Sequence, residues 1–239
     1  MNRSWYRLVA VLAAAGGIVG LLFTHGNTTS GQDANDLQET QSSETGSSVA
    51  ELSFPLTLPE SGLLIEGTVS YSGAYMEDGS GDFVSDVTGL MVYNPCERMV
   101  RFGAVALEQD GEQLYFFVYC LPPGGRCLIL EKNRHPYTQG SVTQCRQLSV
   151  RWEYQNLHSE QVYYVGFGEE LTLVNHSPRQ LRHVTLWYKR YDPEKECYLG
   201  GVAYSAHVFR LHAQEQRVLT PEHYNAGSAK VVTVELDGV

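Results

Sequence analysis

The chain contains no Cys-x-x-Cys, no His-x-His, no His-Glu-x-x-His and no Gly-x-Ser-x-Gly. Without cysteine pairs at that spacing, a thioredoxin-like dithiol and a zinc knuckle are excluded. Without the histidine spacings, the usual sequence signatures of a zinc site are gone as well. No serine sits in a nucleophile elbow, so nothing marks a residue seated beside a base and an oxyanion hole. Phosphate-cradling glycine loops are missing too. Cations are in short supply: 17 Lys and Arg face 27 Asp and Glu, for a formal net charge of -10. Nucleic-acid binding relies on a cationic surface that releases counterions from phosphates, so nucleic acid is not an expected partner. Nor does any segment of the folded part keep a helical period of apolar residues.

What is present points to strands. Hydrophobic residues make up 43% of the 239 positions, enough to build a core, and 15 tyrosines accompany 23 glycines. Aromatic and β-branched side chains fit a pleated, half-buried surface. The five cysteines, Cys96, Cys120, Cys127, Cys145 and Cys197, form an odd set, so at least one is unpaired within the chain. Cys120 and Cys127 bracket the turn Leu121-Pro122-Pro123-Gly124-Gly125-Arg126, where a hairpin would bring them within bridging range. Two readings stand: a Cys120–Cys127 disulfide, or five small thiols.

The amino terminus has a different character. Arg3 and Arg7 precede a charge-free run over 8–23. Spanning a bilayer takes about 17 to 25 apolar residues; this run is on the short side, which leaves two readings, a signal anchor or the apolar centre of a signal peptide. No Ala-x-Ala pattern follows to mark a cut. In both cases Arg3 and Arg7 hold the start inside and the rest of the chain is extracytoplasmic. Residues 1–26 are read as this anchor or signal helix. The segment 27–56 is mostly Ser, Thr, Gln, Gly, Asn and acidic residues; it buries too little apolar surface to offset its ordering entropy and reads as a disordered tether.

From residue 57 the pattern becomes short apolar runs between turn residues. Expected strands cover 63–71, 87–93, 99–108, 113–119, 127–131, 141–146, 148–154, 168–174, 184–191, 201–210, 216–219 and 229–236. Asp110-Gly111 signals a tight hairpin, because a primed turn needs positive φ at both positions. A repeat is visible. Val92-Tyr93-Asn94, a turn, a long strand, a turn at Asp110 and a loop after Leu121 have their counterparts in Leu173-Val174-Asn175, a turn, a long strand to Asp192 and a loop after Leu211. Asn94 and Asn175 are expected to close their turns through side-chain bonds to backbone. The expected fold class is all-β: two tandem β-sandwich modules over 57–147 and 148–239, with one larger sandwich as the competing arrangement.

This order of elements resembles the FxLYD domain of bacterial envelope proteins. The residues that carry the likeness are Val87-Thr88-Gly89-Leu90-Met91-Val92-Tyr93-Asn94 and Leu121-Pro122-Pro123-Gly124 in the first half. In the second half they are Asn175 and Leu186-Trp187-Tyr188-Lys189-Arg190-Tyr191-Asp192. The first half has Leu107-Glu108-Gln109-Asp110 where the family has Tyr-Asp, and the second lacks the Pro-Gly. The resemblance implies immunoglobulin-like sandwiches with a binding or spacer role and no active site.

Candidates for chemistry are sparse. Eight histidines lie scattered, and His207 and His212, five apart in one expected strand, would point to opposite faces. No metal or cofactor is expected. The run Glu77-Asp78-Gly79-Ser80-Gly81-Asp82 carries oxygen ligands but only part of a calcium-loop pattern, and reads as a solvated loop. Tyr163, Tyr164, Trp187, Tyr188 and Tyr191 would form an aromatic binding face if they shared one surface; strand alternation would instead turn them into a core. The expectation is a membrane-anchored, non-catalytic protein of the cell envelope, not an enzyme. Its modules would serve protein–protein interaction or structural support, or alternatively bind cell-wall glycan or a small ligand on the aromatic face.

Overall fold

The computed structural model describes residues 51–237. The expected membrane segment and the tether up to residue 50 lie outside the described residues. Within them the chain is all-β, with thirteen strands and no helix. The first seven are β1 (Leu56–Thr57), β2 (Leu64–Ala74), β3 (Phe83–Tyr93), β4 (Met99–Gln109), β5 (Glu112–Leu121), β6 (Arg126–Leu130) and β7 (Val142–Glu153). The rest are β8 (Val162–Phe167), β9 (Glu170–Asn175), β10 (Leu181–Asp192), β11 (Cys197–Leu211), β12 (Gln216–Leu219) and β13 (Ala229–Asp237). Alternation drives them. In β5, Leu114, Phe116, Val118 and Cys120 turn inward while Tyr115, Phe117 and Tyr119 turn outward. Asp110 and Gly111, at φ 51° and 80°, make the tight turn between β4 and β5.

The strand pairing repeats. In the set β2 to β7, the second strand lies between the first and the fifth, and the third lies between the fourth and the sixth. The set β8 to β13 follows the same rule. Each set therefore yields two three-stranded layers: β2-β3-β6 with β5-β4-β7, and β8-β9-β12 with β11-β10-β13. One apolar core, with Ile65, Leu90, Met99, Phe116 and Ile129, draws on all six strands of the first set. A second core, with Val162, Leu171, Val184, Leu186 and Val208, belongs to the other.

The two sets share a sheet. β6 pairs in parallel with β11 through Cys127↔Tyr198 and Leu128↔Leu199, which joins two layers and β1 into one seven-stranded sheet. Tyr198 and Val232 of the second set also enter the first core. The expected boundary at 147/148 falls inside β7, where the two expected strands 141–146 and 148–154 are one. β4 pairs Ala104 with Ser149 and Val105 with Gln147, so Leu148 is the extra residue of a bulge rather than a break. The connection between the two sets is residues 154–161.

Asn94 and Asn175 carry the repeat down to single hydrogen bonds. Both are fully buried. Asn94 Nδ2 donates to the carbonyls of Arg98, Leu121 and Pro122 at 2.9, 3.1 and 3.0 Å, and its Oδ1 accepts from the Cys96 N–H at 3.1 Å. Asn175 Nδ2 donates to Arg179, Leu211 and His212 carbonyls at 2.7, 3.1 and 3.0 Å, and its Oδ1 accepts from Ser177 N–H at 2.9 Å. Each side chain fastens its own turn to the distant loop after the fourth strand of its set. The turn expectation accounts for half of this; the long-range half it did not include.

A second latch joins the sets. Between Leu199 and Tyr204, β11 departs from regular pairing with β10, and the intervening Gly200-Gly201 presses against the first set. A Cβ on Gly201 would overlap the Phe117 carbonyl oxygen, so only glycine fits. Lys189, fully buried, donates from Nζ to the carbonyls of Gly200, Gly201 and Val202 at 3.1, 3.0 and 2.7 Å. From the first set, the Glu77 carboxylate accepts the Gly201 N–H at 2.8 Å and the Leu130 N–H at 2.8 Å. Glu77 was expected in a solvated loop; it is instead turned inward. Its burial pushes the carboxyl up to about 7, against the pull of those N–H groups and of Lys189. The neighbouring Asp78 and Asp82 do stay outside, paired with Arg134 at 2.7 and 3.3 Å.

Candidate interaction face

The layer β8-β9-β12 has an inner side that faces the second core and an outer side that nothing in the described chain covers. Strand alternation decides which side chains go where. In β8 (Val-Tyr-Tyr-Val-Gly-Phe), Val162 and Tyr164 turn toward the core, while Tyr163, Val165 and Phe167 turn out. Phe167 is 85% exposed, Tyr163 52%, Val218 50% and Val165 47%. Register places them together. Val165 sits opposite Thr172 on β9, and Thr172 sits opposite Val218 on β12, so one row crosses all three strands. Tyr163 lies one row away opposite Val174, and its ring meets His176 edge-on at 6.0 Å. The result is an exposed apolar row on a three-stranded layer.

Its edges matter as much as its face. Among the described residues β8 pairs only with β9, and so does β12. Exposed edge strands are usually shielded by charge, proline or a bulge; β8 holds no charged residue and no proline. The corresponding layer of the first set is different, because β1 lies against β2 and β11 lies against β6. The repeat thus shows the same two edges twice, paired in one copy and, among the described residues, unpaired in the other.

Of the five aromatic residues expected on one binding face, only Tyr163 lies here. Tyr164 turns inward on the same strand. Tyr188 is in the second core, its hydroxyl donating to the Glu222 carbonyl. Trp187 lies beneath the Arg101 guanidinium at 4.3 Å, and Tyr191 lies beneath Lys230 Nζ at 3.3 Å; both pack against the first core. The five belong to two sheets and to both sides of each, so they cannot converge. The missed members of the face, Val165, Phe167 and Val218, were legible only as alternation in strands whose partners were unknown.

Of the two readings for the cysteines, the structure has five free thiols and no Cys120–Cys127 bridge. The turn 122–125 is not a hairpin, because it carries the chain from β5 in one layer to β6 in the other. Cys120 consequently meets Arg101, whose Nη1 is 3.4 Å from its Sγ, while the Cys127 thiol donates to the Gly200 carbonyl at 3.2 Å.

Among the described residues no three or more His, Cys, Asp or Glu side chains converge as a metal site. A depression of about 400 Å³ is lined by Gln180, Arg182, Phe209 and Arg210, with two cations and neither a carboxylate nor a hydroxyl nucleophile. No protein-family profile, no curated protein and no solved structure matches this chain.

Proposed function

We propose that this chain is a membrane-anchored, extracytoplasmic, non-catalytic protein of the cell envelope. In this reading its two strand sets are tandem immunoglobulin-like modules of the FxLYD kind, and it binds an extended segment of a partner protein along β8. The reading rests on the repeat. The edge equivalent to β8 in the first set already carries the antiparallel strand β1, and the edge equivalent to β12 carries β11. A strand added to β8 would gain main-chain hydrogen bonds, with Tyr163, Val165 and Phe167 supplying side-chain contacts. The make-up of the face favours a protein over glycan, since four of the five aromatic residues that a sugar platform would have used turn elsewhere.

The test is site-specific photocrosslinking in the native cells with the full-length chain. A photoreactive residue at Val165 should capture one discrete protein; the same residue at Leu148, 45% exposed on β7, should not. Phe167→Asp should abolish the adduct while moving stability by no more than about 0.5 kcal/mol, as is usual for exposed positions. Identical adducts from both positions, or a captured polysaccharide, would end the proposal.

A further inference from the structure

On the outer side of β11-β10-β13, neighbouring rungs bring two histidines together. Thr185 lies opposite His207, and His183 lies opposite Phe209. His183 Nε2 is 3.3 Å from His207 Nδ1, and Thr185 Oγ1 is 3.4 Å from the first and 3.1 Å from the second. Three donor atoms therefore form a nearly equilateral triangle. A tetrahedral ion with bonds of about 2.0–2.1 Å sets its ligand atoms roughly 3.3–3.4 Å apart, so such an ion can touch all three with little rearrangement.

The remaining ring nitrogens are held from outside. His183 Nδ1 is 2.9 Å from Asp237 Oδ2, and His207 Nε2 is 3.0 Å from Ser205 Oγ. A carboxylate fixes the proton on Nδ1 of His183 and leaves the Nε2 lone pair aimed into the triangle. If Ser205 accepts the Nε2 proton of His207, the Nδ1 lone pair of that ring points inward too. Two lone pairs then face each other with only the Thr185 hydroxyl proton to share. Phe209 stacks flat on His183 at 4.5 Å and fixes that ring. Glu235, opposite Thr185 on β13, is drawn off by Arg101 at 2.8 Å.

We propose that His183 and His207, capped by Thr185, bind a nitrogen-preferring divalent transition metal such as copper(II) or zinc(II), with solvent at the open positions. Asp237 and Ser205 are positioning residues that orient the two imidazoles. Donors of this kind suit those metals rather than magnesium or calcium.

The full-length chain in mild detergent would be titrated with copper(II) or with zinc(II) alone. One equivalent of copper should give an electron paramagnetic resonance spectrum with splitting from two nitrogens. His183→Gln and His207→Gln should each weaken zinc binding at least tenfold, and Asp237→Asn by about 10- to 100-fold. His212→Gln, whose ring lies beyond β11, should change nothing. Wild-type affinity in either histidine variant, or copper bound by fewer than two nitrogens, would overturn the site. Should both histidine variants fail to fold, Asp237→Asn decides, because Asp237 is exposed at the strand end: unchanged affinity there rejects the proposal.

Discussion

The Glu77 carboxyl makes stability depend on pH in a direction opposite to that of most acids. Its pKa is raised from 4.5 to about 7 by burial. Below pH 4.5 the group is protonated in both folded and unfolded chains and carries no ionisation penalty. Between 4.5 and 7 the folded state holds the proton more tightly, so stability falls as pH rises. Above 7 the penalty is complete. At 1.36 kcal/mol per pH unit, a gap of roughly 2.5 units corresponds to about 3 kcal/mol. The measurement is denaturant unfolding of the wild-type chain and of Glu77→Gln at pH 5 and pH 8, with midpoints converted to free energies. Subtraction removes every other titrating group. The wild-type chain should lose about 2.5 kcal/mol relative to Glu77→Gln between the two pH values, since a little of the total is already lost at pH 5. A difference that stays constant to within 0.5 kcal/mol, roughly the error of such measurements, would show that the Leu130 and Gly201 N–H groups and Lys189 fully compensate the anion, and the reasoning would be refuted.

The repeated asparagines should behave alike: Asn94→Ala and Asn175→Ala each strand buried carbonyls and an N–H, and each should cost about 2–4 kcal/mol in the same unfolding assay. A large effect at one position and none at the other would deny the equivalence of the two sets. Gly201→Ala should cost about 3 kcal/mol or more, since its Cβ would overlap the Phe117 backbone oxygen rather than a side chain that can move; thermal unfolding by circular dichroism reads this directly. Thiol labelling at pH 8 should modify the partly exposed Cys96 first. Cys127, pushed up to about 12 by burial, should react only when the chain unfolds, because the thiolate is the nucleophile; mass spectrometry of tryptic peptides distinguishes the two.

Local chemistry was legible in the sequence. Period-two alternation marked most strands of the folded part, Asp110-Gly111 marked its turn through the positive φ both residues tolerate, and the similar environments of Asn94 and Asn175 marked a repeat. These features depend only on a residue and its near neighbours. β8 was missed because its six residues are almost all apolar or aromatic, so alternation is invisible until one side is buried. The 147/148 boundary was misplaced because a bulge in a paired strand and a break between strands look the same along a single chain.

Everything that depends on which strand lies beside which belonged to the tertiary structure. Cys120 and Cys127 are seven residues apart yet sit in different layers, whereas His183 and His207 are twenty-four apart and meet on neighbouring rungs. Lys189 and Glu77 look like ordinary surface charges in sequence. Lys189 is fully buried and Glu77 turned inward because β11 lies between β10 and the first set, its Gly200–Val202 carbonyls accepting from Lys189 and its Gly201 N–H donating to Glu77. The sequence by itself determined that this chain would form strands and that it would form them twice over. Only the fold decided that the two copies would fuse through β6 and β11 and leave β8 open among the described residues, because a pairing such as Cys127 with Tyr198, 71 residues on, is set by the packing of whole layers, which no local pattern encodes.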